Sequence, residues 1–170
     1  TKPEMITITT RAGRQASAMA ALPEKFTAPG MAPGMALFHA FLGLTQEFID
    51  FAEFYASKGY IAVAPDLYKG ETTQDFDTAF ALMDAMDEEE CTDIAVSWID
   101  WIRAHDGCNG KAGTVGWCLG GSWSLNTSIA TPIDATVVYY GSVAKTQDQL
   151  TALHGPVLGH FGTKDEYFGK

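Results

Sequence analysis

The sequence predicts an α/β chain: a mostly parallel sheet with helices on both faces and an antiparallel margin at its start. Two observations carry this. Short continuous apolar runs recur, as expected of strands buried on both faces. Between them apolar residues fall at i, i+3, i+4 and i+7, the spacing of one helix face. Residues 5–9 alternate and are rich in Ile and Thr, a strand; 16–22 is its weaker partner, turned by Ala12-Gly13-Arg14. Residues 28–34, with two Pro-Gly pairs, read as a loop, since such pairs should interrupt a helix or a strand interior. Residues 35–39 form the first buried strand. Thr45 then caps a helix carrying Phe48, Phe51, Ala52 and Tyr55, and Gly59 stops it. Residues 60–64 are the second buried strand, closed by Pro65. Phe76, Ala79, Phe80 and Met83 mark an amphipathic helix, and Asp87 with Glu90 resembles a capping box. The stripe Cys91, Ile94, Ala95, Trp98 and Ile102 follows it. A strand at 112–117, a helix at 122–129 and strands at 135–140 and 157–161 complete the alternation, which implies βαβ units in a single domain, residues 1–170. In such sheets ligands bind beyond the carboxyl ends of the strands.

Composition narrows the function. Eleven Lys and Arg against 21 Asp and Glu give a net charge of −10, which argues against nucleic acid and against an anionic membrane surface as partners. No apolar run approaches the ~18 residues of a spanning helix. Three cysteines without a CxxC pair suit a reducing cytoplasm and supply no metal-ligand spacing; no cofactor is expected.

One strand–turn–helix junction carries chemistry. Gly116-x-Cys118-x-Gly120 is the nucleophile-elbow pattern G-x-S-x-G with Cys in place of Ser. The nucleophile needs a strained backbone, so its −2 and +2 neighbours must be small. Cys118 would begin a helix, whose dipole favours a thiolate. The Leu119 amide would face a developing oxyanion. The plainer alternative is a buried apolar cysteine in a tight turn. A dinucleotide loop fits less well, because the glycine spacing is not G-x-G-x-x-G. Later, Gly159-His160-Phe161-Gly162-Thr163-Lys164-Asp165 reads as strand, glycine turn, acid. Nucleophile before acid is the α/β-hydrolase chain order, with His last.

Taken together, these segments resemble the dienelactone hydrolase family over nearly the whole length of the chain. The resemblance rests on Gly116-Trp117-Cys118-Leu119-Gly120-Gly121, on Ala64-Pro65-Asp66-Leu67-Tyr68, on Tyr139-Tyr140-Gly141 and on His160-Phe161-Gly162-Thr163-Lys164-Asp165. It implies an α/β-hydrolase fold and opening of small esters or lactones by a Cys-His-Asp triad. By resemblance Cys118 is the nucleophile and Asp165 orients the base. The amides of Leu119 and Phe41 form the oxyanion hole, and His39, Ala40 and Trp117 line the substrate pocket.

Three departures follow from the same resemblance. The family's catalytic His comes after one more strand, and this sequence stops at Lys170. The chain therefore reads as incomplete at its C-terminus, without the last strand and helix, and as impaired in turnover. Ala40 stands where a Glu is common in the family. No arginine lies between Arg14 and Arg103 to bind a dienelactone carboxylate. Of the four histidines, His39 and His160 lie nearest the predicted site, and a structural role is the simpler expectation for both. The sheet edge at 157–161 is expected to pair with another copy, giving a homo-oligomer. Two other classes stay open. One is a catalytically inactive binding or assembly module, and the other is a thiol redox sensor resting on Cys118 alone.

Overall fold

The computed structural model describes residues 1–25 and 30–166. Ala28 and Pro29 of the expected loop lie outside them. The elements are β1 (Glu4–Thr9), β2 (Gln15–Ala21), β3 (Ala32–Phe38), α1 (Gln46–Ser57), β4 (Ile61–Pro65), α2 (Phe76–Asp84), α3 (Glu88–Ala104), β5 (Cys108–Trp117), α4 (Leu119–Ala130), β6 (Ala135–Tyr139), α5 (Gln147–Leu150) and β7 (Val157–His160). The sheet order is β1-β2-β4-β3-β5-β6-β7. The β1–β2 and β2–β4 pairs are antiparallel and the rest are parallel. This is the predicted α/β-hydrolase architecture, with the expected antiparallel margin.

Helices cover both faces. On one, Cys91, Ile94, Ala95, Trp98 and Ile102 of α3 pack on Ala36, Phe38 and Val63. On the other, Phe48, Ala52 and Ala56 of α1 pack on Leu37, Ala62 and Val115. The hairpin is tied to α3 through Asp93, which accepts from Thr10 Oγ1 at 2.5 Å, the Ala12 amide at 3.0 Å and Arg14 at 3.1 Å. Burial opposes ionisation of Asp93, but these bonds outweigh it and leave the carboxyl below its usual range.

Several local expectations change. β3 starts at Ala32 and so contains Pro33-Gly34, one of the pairs expected to break a strand. The β3–β5 register shifts between Ala32 and Gly34, so the proline sits at an irregularity in the ladder. Gly34 is required there because a Cβ would strike the Ile102 side chain. Thr45 stands at the N-cap of α1 without a side-chain bond to the helix. Asp87 caps α3 by accepting from the Glu90 amide at 2.9 Å. In α2 the expected apolar stripe does not face a core: Ala79 is buried, but Phe76 and Phe80 are 60% and 54% exposed. The strand expected at 157–161 ends at His160 and is exposed throughout.

Candidate active site

The junction of β5 and α4 is locked by missing side chains. A Cβ on Gly116 would fall on the Gly120 carbonyl, and one on Gly120 would fall on the carbonyls of Phe38 and His39 at the end of β3. A Cβ on Gly141, beyond β6, would meet the Ser122 amide at 2.5 Å and the Cys118 carbonyl at 2.7 Å. Backbone thus packs directly on backbone, and Cys118 is held at φ 59°, ψ −122°. For a non-glycine residue such a conformation costs roughly 1–3 kcal/mol and persists only where the surroundings enforce it. The Cys118 amide donates to the Tyr139 carbonyl at 3.0 Å, and α4 begins at the next residue.

The electrostatics differ from the sequence expectation. Burial pushes the Cys118 thiol above its ordinary value; a hydrogen bond from the Leu119 amide opposes this, and the charge of Asp165 adds to it. The helix start therefore does not bring the thiol below its ordinary value. The sequence could not show the desolvation, which comes from tertiary packing.

His39 lies just past β3 and is fully buried. Its Nε2 accepts from the Leu67 amide at 3.0 Å, which fixes the tautomer: Nδ1 carries the proton and donates to the Ala40 carbonyl at 2.8 Å. Burial holds its pKa below the ordinary value. His39 therefore joins the ends of β3 and β4 and has no surface to offer a pocket, contrary to its expected place there. Ala40 is half-buried and packs against the α1-side core. Trp117 is also half-buried, with its ring stacked between Phe51 at 4.9 Å and Tyr139 at 5.4 Å. His160 stacks on the other side of Tyr139 at 4.6 Å. Trp117, Tyr139 and His160 are register partners on β5, β6 and β7, so the parallel ladder itself builds this stack.

Two tyrosines not singled out as site residues, Tyr68 and Tyr140, feel the charge of Cys118. Asp66 accepts from the Tyr68 and Gly70 amides at 2.9 and 2.7 Å and folds the turn after β4. That turn aims the Tyr68 hydroxyl at the Phe41 carbonyl, 2.9 Å away. Burial first, then the neighbouring Cys118, push the hydroxyls of Tyr68 and Tyr140 upward. Tyr140 has φ 41° and is 43% exposed. The segments holding both tyrosines were legible as motifs, but their approach to Cys118 depends on how the strands pair. A separate cavity of about 220 Å³ lies on another side of Tyr68, lined by Leu67, Met86, Cys91 and Ile94 among others, and does not include Cys118. Burial raises the Cys91 thiol there to about 11, which makes it a poor nucleophile. Among the described residues, no group of three or more His, Cys, Asp or Glu is gathered to hold a metal, and no helix is long and apolar enough to cross a membrane.

The arrangement is a thiol on a strained elbow, with backbone amides beside it and an acid loop nearby. Known proteins resemble the chain as follows. The dienelactone hydrolase family model matches residues 17–170. Carboxymethylenebutenolidase 1 of Cupriavidus pinatubonensis is 27% identical over 172 residues, covering 95% of this chain and 72% of that protein. Carboxymethylenebutenolidase of Pseudomonas putida is 28% identical over 176 residues, covering 96% and 72%. Among solved structures, a Klebsiella pneumoniae chain provisionally described as a dienelactone hydrolase superposes with a TM-score of 0.84 at 24% identity, covering 96% of this chain and 73% of that one. At that identity the likeness speaks for the fold alone.

Proposed function

The chain belongs to the dienelactone hydrolase family and is a hydrolase of the ester or lactone class, and from that premise we propose that Cys118 is its nucleophile. The Cys118 sulfur attacks the acyl carbonyl carbon after losing its proton. The carbonyl electron pair moves to oxygen, where the Leu119 and Phe41 amides donate hydrogen bonds to it. Collapse of this intermediate breaks the carbon–oxygen bond to the alcohol. The alcohol leaves with a proton, and a thioester remains on Cys118. Water then cleaves the thioester to the free acid and restores the thiol. The observation that carries this reading is the positive φ of Cys118, enforced by the Gly116–Gly120 interlock.

Acylation is the step that the elbow and its amides serve. His39 is unsuited as base because both its nitrogens are committed to backbone partners. Asp165 stands close enough to act on the thiol by charge, and in our reading it is the acid that would orient a base. In our reading deacylation, in which His39 cannot activate the water, is the slower step. The substrate is a small ester or lactone, and β7, with Val157 and Leu158 exposed, mediates self-association. A strictly monomeric species by light scattering at working concentration would remove that last element.

The raised thiol pKa favours a second reading, a hydrolase fold that binds without turning over. Pre-steady-state release of p-nitrophenol from p-nitrophenyl acetate separates the two. The nucleophile reading expects a burst of about one equivalent, absent in Cys118→Ala. Equal release by both proteins would reject it.

A further inference from the structure

Three phenylalanines stand together outside both cores. Phe41 is half-buried on the loop after β3. Phe76 and Phe80 lie one turn apart on α2, with ring centroids 5.2 and 5.8 Å from that of Phe41. Large aromatics on a helix normally face the core, yet both α2 rings are more than half exposed. The cluster is not a loose surface. Gly43 bridges Thr72, the Thr73 amide donates to the Leu42 carbonyl, and Asp75 caps α2 through the Thr78 amide. A Cβ on Gly43 would meet the Glu71 carbonyl at 2.7 Å, so the loops after β3 and β4 are pressed together.

The cluster lies at the nucleophile's end of the sheet. Phe41 follows His39 on the loop after β3, and a Cβ on Gly120, just past Cys118, would fall on the His39 carbonyl. Tyr68 donates its hydroxyl to the Phe41 carbonyl at 2.9 Å, and the charge of Cys118 acts on it. Negative charges act at this end of the sheet, Asp165 on Cys118 and Glu47 on Tyr140. All three arginines of the chain are engaged elsewhere, Arg11 with Asp100, Arg14 with Asp93 and Arg103 with Asp134. Among the described residues, a carboxylate arriving beside Cys118 would meet the charge of Asp165 and no unengaged guanidinium. An uncharged apolar group would meet aromatic edges and faces.

We propose that Phe41, Phe76 and Phe80 form a subsite for an uncharged aryl or alkyl acyl group of the ester cleaved at Cys118. The substrate class is thereby narrowed to esters whose acyl part carries no carboxylate. This rests on Cys118 being the nucleophile, so the test reads binding and acylation separately.

Methyl 3-phenylpropanoate and methyl hydrogen succinate serve as unactivated ligands, with binding followed by ligand-detected NMR. Wild type, Phe76→Ala and Phe80→Ala are compared, and each is also given p-nitrophenyl acetate and p-nitrophenyl 3-phenylpropanoate. The phenyl ester is expected to bind and the succinate not to. Each alanine variant should weaken binding by about fivefold, the scale of one lost aromatic contact. Acylation by the phenylpropanoate should fall by a similar factor relative to acylation by acetate. Phenyl-ester binding lost in the variants without any Cys118-dependent burst would uphold the subsite and sink the nucleophile reading. A normal burst with phenyl-ester binding unchanged in both variants, or with succinate bound as well as the phenyl ester, would overturn the subsite alone. Variants that change only the association state would overturn it too, assigning the rings to a protein contact.

Discussion

The two ends of the proposed catalytic machinery are built differently. The elbow is interior: Gly116 and Gly120 are buried, and each is closed by another backbone segment. The Asp165 loop hangs from β7, whose four residues are all exposed and which pairs with β6 on one side. Its end is anchored by the His160–Tyr139 stack and by the Tyr140 amide, which donates to the His160 carbonyl at 2.7 Å. The nucleophile is thus placed by steric necessity and the acid by a few surface bonds. Changes at the first should cost fold and chemistry together. Changes at the second should alter chemistry and leave the fold standing.

The largest effect is expected from Gly120→Val. Its side chain would enter the Phe38 and His39 carbonyls, which sit on backbone that cannot rotate away. Loss of at least about 3 kcal/mol is expected, read as a lower urea midpoint or as insoluble protein. A midpoint within error of wild type would show that the elbow is not interlocked.

Next comes acid. The folded-state pKa of His39 is lowered by burial, so the unfolded chain binds the extra proton more readily. Stability is then full above the unfolded value of about 6.5 and falls as pH drops below it, until the folded His39 also protonates. Protonation removes the acceptor for the Leu67 amide. Urea midpoints between pH 7.5 and 5 should fall in wild type and fall less steeply in His39→Gln. Parallel slopes would take His39 out of the acid response.

Asp165→Asn sharpens the contrast at the other end. Asp165 helps to hold the Cys118 thiol above its ordinary pKa, so removing its charge should move the thiol down. The wild-type acylation rate should still be climbing where an ordinary thiol is already ionised, because the Cys118 thiol is held above its usual value. The variant's profile should shift to lower pH, with acylation at pH 7.5 rising about twofold. A slower burst would instead mean that Asp165 already supports a working base. The smallest effect is expected from Leu158→Ser on β7, whose side chain is 56% exposed. Its cost should stay within about 0.5 kcal/mol, although self-association should weaken. A loss comparable with that of Gly120→Val would erase the distinction between the two regions.

The same contrast governs what the sequence could tell. The elbow was legible because its requirement is local: small residues at 116 and 120, next to an apolar strand and a helix. The stripe of α3 was legible because Cys91, Ile94, Ala95, Trp98 and Ile102 all face one core. The stripe of α2 misled for the same reason. Periodicity says that Phe76 and Phe80 share a face and is silent on whether that face meets a core or a cleft. His39 needed a partner 28 positions away, the Leu67 amide, before its role could be seen. The raised thiol likewise depends on packing around Cys118 that strand order alone creates. Pro33 was misplaced because a strand tolerates it where the register slips, and that slip is a property of the pairing with β5.

Peptide mapping after brief exposure to p-nitrophenyl acetate tests the central claim most directly. We expect one acetyl group per chain, on the peptide holding Cys118, with Cys91 and Cys108 unmodified and no labelling in Cys118→Ala. Labelling spread over all three cysteines, or confined to the half-buried Cys108, would contradict an assembled elbow.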